Sequence, residues 1–153
     1  MDGNAGKAAM ERLEPFIGEW STEVSFPDAP FGHSVFEWAL DGAFLTQRSG
    51  NPHPAAPDGF VIVAPDPAGR GYLQHYFDSR GVVRLYEMTF EDGVWTLLRA
   101  KPDFSPLDFS QRYIGEFGDD GDSIRGRWET SGDGSAWELD FELNYTRIRP
   151  DAR

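Results

Sequence analysis

Cysteine is absent from this 153-residue chain, which excludes disulfides, thiolate catalysis and cysteine-ligated zinc or iron–sulfur centres. Lysine is scarce: only two of the fourteen cationic residues are Lys, set against twenty-six Asp and Glu and a net charge of −12. A surface this acidic repels polyanions, so neither nucleic acid nor an anionic membrane is expected as a partner. Histidine occurs three times, at His33, His53 and His75, without close spacing; that is a poor basis for a metal site, and no metal is expected. No window is apolar for long enough to span a membrane, and Met1 to Met10 lacks the apolar core of a signal peptide, so the expected compartment is the cytoplasm. Gly-x-Ser-x-Gly, phosphate-loop and dinucleotide motifs are missing too.

What the chain does have is 39% hydrophobic and 14% aromatic residues, with seventeen Gly and eleven Pro falling between apolar runs as turn signals. The length suits one domain with a real core. The pattern predicts a flexible tail over 1–6 and a single β-barrel domain over 7–149. A short helix is expected from Lys7 to Leu13, ended by Pro15, with Ala9, Met10, Leu13, Phe16 and Ile17 on one stripe. Strands are expected near 19–26, 33–40, 43–49, 59–65, 71–79, 82–90, 94–101, 109–117, 123–131 and 136–148. About ten strands joined mostly by tight hairpins make an all-β, antiparallel up-and-down meander, which closes most readily into a barrel. A β-sandwich is the structural alternative.

Hairpin turns fix register, and register decides which side chains share a face. Read as a two-residue loop, Asp92-Gly93 sets Phe90 opposite Trp95, Met88 opposite Leu97 and Tyr86 opposite Arg99. Arg80-Gly81 read the same way sets Phe77 opposite Arg84, His75 opposite Tyr86 and Leu73 opposite Met88. The shared face carries Leu73, Phe77, Met88, Phe90, Trp95 and Leu97, so it is the buried one, and His75, Arg84, Tyr86 and Arg99 enter with it. Buried cations need partners, and this lining predicts a ligand pocket.

In the C-terminal half, Trp137, Leu139, Phe141, Leu143 and Tyr145 alternate with polar residues. A four-residue loop at Gly132–Ser135 sets Arg127 opposite Asp140 and Arg125 opposite Glu142; one strand back, Arg112 meets Glu129 and Glu116 meets Arg125. These charges read as a solvated outer ladder. Phe109, Gln111, Tyr113, Phe117, Ile124 and Trp128 are left inside. Gln47 joins them if Phe36, Trp38 and Leu45 point inward; with the face reversed, Glu37 and Arg48 enter instead.

Gly18-Glu19-Trp20 follows the helix and opens the first strand, while Tyr145-Thr146-Arg147 closes the last. This pairing resembles the Gly-x-Trp and C-terminal Arg signature of the lipocalin (calycin) superfamily, in which the Trp packs at the closed barrel end beneath the Arg. The run Pro15–Arg147, with Trp38–Leu45, His75–Gly81 and Gly126–Glu129, resembles a group of bacterial lipocalin-like proteins, which implies a fold and not an activity. By that resemblance Trp20 and Arg147 are structural. Two distant relatives suggest chemistry. Fatty-acid-binding proteins hold a carboxylate with an Arg-x-Tyr in the last strand; here the order is reversed, so that triad is not carried across. Nitrobindins are ten-stranded barrels that bind haem through a His near the C-terminus; this chain has no His after His75, so haem would need His75 itself.

The resulting expectation is a small hydrophobic or amphipathic ligand bearing an acidic or polarised oxygen. Phe77, Met88, Phe90, Trp95, Leu97 and Phe141 would supply apolar walls. His75, Tyr86, Arg84, Arg99, Gln47, Gln111, Tyr113 and Tyr145 would orient the ligand, with Arg84 nearer the rim. Asp103 and Asp108 flank Phe104–Leu107, a longer loop suited to lie over one barrel end. Three alternatives stay open: an isomerase or cyclase in which His75 moves a proton while Tyr86 and Arg99 stabilise an enolate, a haem protein with His75 as axial ligand, and a filled barrel serving as a structural module. A homodimer also stays open.

Overall fold

A computed structural model of the chain describes residues 3–68, 71–104 and 106–149. Helix α1 (Gly3–Glu11) and a 3-10 turn (Glu14–Phe16) lead into ten strands: β1 (Gly18–Val24), β2 (Gly32–Ala39), β3 (Phe44–Gly50), β4 (Gly59–Pro65), β5 (Tyr72–Asp78), β6 (Val83–Glu91), β7 (Val94–Arg99), β8 (Ser110–Phe117), β9 (Ser123–Ser131) and β10 (Glu138–Arg147). Every sequential pair is antiparallel, and β1 pairs with β10 to close the barrel. Closure leaves no edge strand. The expected strands match to within about two residues at most boundaries. The tail expected over 1–6 is corrected, because α1 already begins at Gly3; residues 1 and 2 lie outside the described residues.

The two ends of the barrel differ. At one end α1 and the 3-10 turn fold across the opening and bury Met10, Leu13 and Phe16 to within 1% exposure. The Phe16 ring meets Phe36, Phe90, Trp95 and Phe117 at centroid distances of 4.9–5.4 Å. Trp20 is fully buried, its indole N–H donating to the Phe16 carbonyl at 2.9 Å. The Arg147 guanidinium lies 4.2 Å from the Trp20 ring centroid and donates to the carbonyls of Ile17, Pro15 and Gly121 and to the Asp122 carboxylate. One cation thus satisfies carbonyls from the entry turn and the β8–β9 loop together, and this end is shut. Loops 25–31, 51–58, 79–82, 100–109 and 132–137 gather at the other end.

Two register details correct the sequence reading. The β6–β7 hairpin is as expected: Asp92 and Gly93 both have positive φ (53° and 76°), Phe90 pairs with Trp95 and Met88 with Leu97. The β5–β6 hairpin is not. Its loop has three residues, Ser79-Arg80-Gly81, and Phe77 pairs with Val83, Tyr76 with Arg84 and Gln74 with Tyr86. Gly81 N–H donates to the Asp78 carbonyl at 2.9 Å and Gly81 has φ +83°, a type I turn followed by a left-handed residue. One extra loop residue exchanges the faces of β5. Tyr72, Gln74 and Tyr76 therefore point inward, and Leu73, His75 and Phe77 point outward.

A β-bulge in β10 makes the second correction. Leu139 pairs with Glu129 but Phe141 pairs with Trp128, leaving Asp140 as the extra residue. Phe141, Leu143 and Tyr145 face in, whereas Leu139 is 58% exposed and Trp137 lies under the outer Arg112 guanidinium at 4.2 Å. Arg127 accordingly pairs with Glu142 and not Asp140. Arg112↔Glu129 and Glu116↔Arg125 stand as expected on the outer face. Phe109 precedes β8 and is 39% exposed, so it is not an interior residue.

Candidate functional site

Inside the open half of the barrel is a cavity of about 500 Å³. Strands β3 to β10 all contribute to its wall. Gln47, Gln74, Tyr76, Tyr86, Trp95 and Leu97 line one side, and Gln111, Tyr113, Trp128, Phe141, Leu143 and Tyr145 the other. Phe26, Pro57 and Arg80 reach it from the loops of the open end. A side cleft of about 630 Å³ between loops 25–31 and 51–58 shares Phe26, Ser49, Pro57, Phe141 and Leu143 with the cavity.

The polar lining falls into two groups. Toward β2 and β3, the Gln47 amide donates to Ser34, Ser49 and Tyr145 oxygens at 3.2–3.3 Å, and the two serine hydroxyls are 2.6 Å apart. Gln47 is inward because Phe36, Trp38 and Leu45 are, the β2–β3 register setting Phe36 opposite Gln47 and Trp38 opposite Leu45. Toward β6 and β8, Gln111 Oε1 accepts from Arg84 Nη1 at 3.0 Å and from the Tyr86 hydroxyl at 3.4 Å. Among the described residues no carboxylate forms an ion pair with Arg84, in contrast to Arg80, whose Nη2 sits 2.6 Å from Asp78. The buried Nε of Arg84 and the Nε1 of Trp95 have no hydrogen-bond partner among the described residues. Trp95 is packed edge-on against Phe16 and Tyr113. The polar residues lining the cavity are therefore Arg84 and Arg80, the amides Gln47, Gln74 and Gln111, Ser49 and the tyrosines.

Burial shifts the cavity tyrosines further above their ordinary value. It raises Tyr86, Tyr113 and Tyr76, and pushes Tyr145 up to about 12 against a partial opposing effect of the Gln47 bond. At the rim Asp78 behaves oppositely. Burial alone would raise it, but hydrogen bonds from Arg80 and Tyr76 and from the Arg80 backbone outweigh that and hold it at about 2, below its ordinary 3.8. A carboxylate whose pKa is depressed by folding contributes stability above its unfolded value and loses that contribution as protons bind the native state. The Asp78 contribution is thus complete above pH 4 and vanishes between about pH 4 and pH 2. In urea midpoints measured against pH, Asp78→Asn is expected to flatten the acid limb in that window; an unchanged limb would contradict the assignment.

The predicted site residues separate into three places. Tyr86, Gln47, Gln111, Tyr113 and Tyr145 meet at the cavity, with Arg84 at its outer edge. His75 does not: its register neighbours are Ile62 and Leu85 on the outer face. Phe77 is likewise outside, stacked on Phe60 at 6.4 Å. Arg99 shares the inward parity of Trp95 and Leu97 but lies beyond the cavity, in a groove beneath loop 100–109. There it is paired with Asp103 through Nε and Nη2 at 2.8 and 3.0 Å, both side chains being 4% exposed. Met88 and Phe90 belong to the packed closed half. Sequence reading missed Gln74 and Tyr76; the signal was Asp78 at the first and Gly81 at the fourth position of a type I turn, with the Asp78 side chain accepting from the Arg80 N–H.

Fold and cavity define a closed ten-stranded antiparallel barrel with one helix-capped end and one hollow end. No family model matches the sequence, and no curated protein matches it. Among solved structures, the crystal structure of Rv2717c from M. tuberculosis superposes with a TM-score of 0.60 at 14% identity, covering 92% of this chain and 98% of that one. A likeness at that identity establishes the barrel fold alone. No helix among the described residues is long and apolar enough to cross a membrane.

Proposed function

We propose that this barrel binds a small, mostly apolar molecule that carries an acidic or polarised oxygen. The observation that carries the reading is a cavity of about 500 Å³ with aromatic walls and the Arg84 guanidinium at its edge, paired to an amide and not to a carboxylate. Ligand sites combine apolar walls with a few convergent polar groups in this size range. A barrel filled by its own side chains would leave no such volume, which weighs against the structural-module alternative. The isomerase or cyclase alternative required His75 as a base inside the cavity. Its ring is on the other face of the sheet, paired in register with Ile62 and Leu85. Haem held by His75 does not fit for the same reason: the cavity wall contains no histidine among the described residues.

Native mass spectrometry of freshly purified protein, beside the same sample denatured, tests the reading. A co-purifying small mass that is lost on denaturation is the expected result. A clean apo mass, together with no thermal shift on adding aromatic or alkyl acids, would overturn it.

A further inference from the structure

Six cavity side chains form an unbroken chain of rings. Tyr76 meets Tyr86 at 6.4 Å, Tyr86 meets Trp128 at 5.7 Å, and Trp128 meets Tyr113 at 5.3 Å. Tyr113 meets Trp95 at 5.0 Å and Trp95 meets Tyr145 at 5.8 Å. All six line the cavity, and every successive pair is tilted or edge-to-face, with interplanar angles of 50–87°. A wall of tilted rings offers alternating positive edges and negative faces, which complement the quadrupole of another ring. A flexible alkyl chain gains the same dispersion but loses rotamer freedom in a space that a rigid plate enters without that loss.

Arg84 supplies the polar end. It stands near the start of β6, at the open end of the barrel, next to Tyr86 of the ring chain, and its Nη1 is already oriented by Gln111. A guanidinium held this way presents its remaining donors as a planar fork, suited to a carboxylate or a similar oxygen anion. Arg80, the other cation at the cavity, is neutralised by Asp78. Arg99 is neutralised by Asp103 outside it.

Building on the binding reading above, we infer that the ligand class is a rigid, planar aromatic acid, its ring system among the six rings and its anionic oxygen at the mouth on Arg84. Calorimetric titration of the full-length protein with three probes tests this: 2-naphthoate, its uncharged analogue 2-acetylnaphthalene, and decanoate as a flexible acid of similar size. The expected order is 2-naphthoate first, with decanoate weaker by about tenfold or more. Arg84→Met keeps an unbranched apolar stem and removes the guanidinium, and is expected to weaken 2-naphthoate about tenfold while changing 2-acetylnaphthalene less than about threefold. Decanoate binding as tightly as 2-naphthoate would overturn the aromatic class and leave the binding reading standing. Equal affinity of Arg84→Met and the parent for 2-naphthoate would overturn the anchor. Failure of all three probes would overturn the inference, and the co-purified mass then decides separately whether the barrel binds anything.

Discussion

Gly126→Ala is expected to destabilise the barrel by about 3 kcal/mol and to drive the Tyr113 ring into the cavity. Gly115 and Gly126 face each other across β8 and β9, and the Tyr113 side chain leans over this bare pair. A Cβ on Gly126 would stand 1.9 Å from the Tyr113 hydroxyl oxygen and 2.3 Å from its ring carbon Cζ. The ring also lines the cavity, which gives it space on that side. Swinging there breaks the hydroxyl's 3.0 Å bond to the Leu143 carbonyl and the ring contacts with Trp95 and Trp128. One hydrogen bond is worth about 1 kcal/mol and each ring pair about 0.5–1.5 kcal/mol, which together give the stated loss. Urea unfolding measures the stability. Because the displaced ring takes up cavity space, 2-naphthoate affinity is expected to fall by more than tenfold as well. Tyr113→Leu in the same background removes the clash, so the double variant is expected to be more stable than the summed single costs. Strict additivity would show that the ring and the glycine do not oppose each other.

Glycine inside a strand is a signal of close approach that can be read in sequence, yet nothing in the sequence says which ring occupies the space. Alternation and turn composition were enough for ten strands, closure and the β6–β7 register, since Asp92-Gly93 adopts the two positive φ values that a two-residue hairpin requires. The β5–β6 turn also ends in glycine, but Arg80 is not a residue that readily takes positive φ. Asp78 and Gly81 together mark the longer turn. Burial could not adjudicate between the two readings, because β5 is apolar on both faces. Leu73 and Phe77 alternate with Tyr72 and Tyr76, and every residue from Leu73 to Asp78 except Gln74 is only part-buried. One residue of slip was enough to move His75 out of the interior and bring Gln74 and Tyr76 in. The β10 bulge escaped notice for another reason: it changes the face of Trp137 and Leu139 while leaving the charged ladder outside.

Arg99 was correctly expected to be buried, and its energetics turn on a partner four residues away that alternation does not predict. Asp103 accepts from Arg99 at 2.8 and 3.0 Å, and also takes the Leu85 backbone N–H at 2.9 Å, so it ties loop 100–109 to β6 and β7. The Arg99 guanidinium is shifted further toward its charged form by these bonds against the opposing effect of burial. Asp103→Asn keeps the shape and an acceptor for Leu85 but leaves a 4% exposed cation facing a neutral amide. Removing one member of a buried pair costs about 3–5 kcal/mol, and a loss of that size in urea unfolding is expected. Arg99→Met with Asp103→Leu removes both charges, and is expected to recover most of the loss, leaving about 1 kcal/mol for the orphaned Leu85 N–H. The loop tells the two variants apart from general weakening. Phe104, 66% exposed, is a ready chymotryptic site, and with its anchor gone the loop should be cut faster in both variants, including the stable double one. Unchanged cleavage in the double variant would mean that the pair stabilises the barrel without holding the loop. Faster cleavage would identify loop 100–109 as a segment held against β6 and β7 by a neutralised pair.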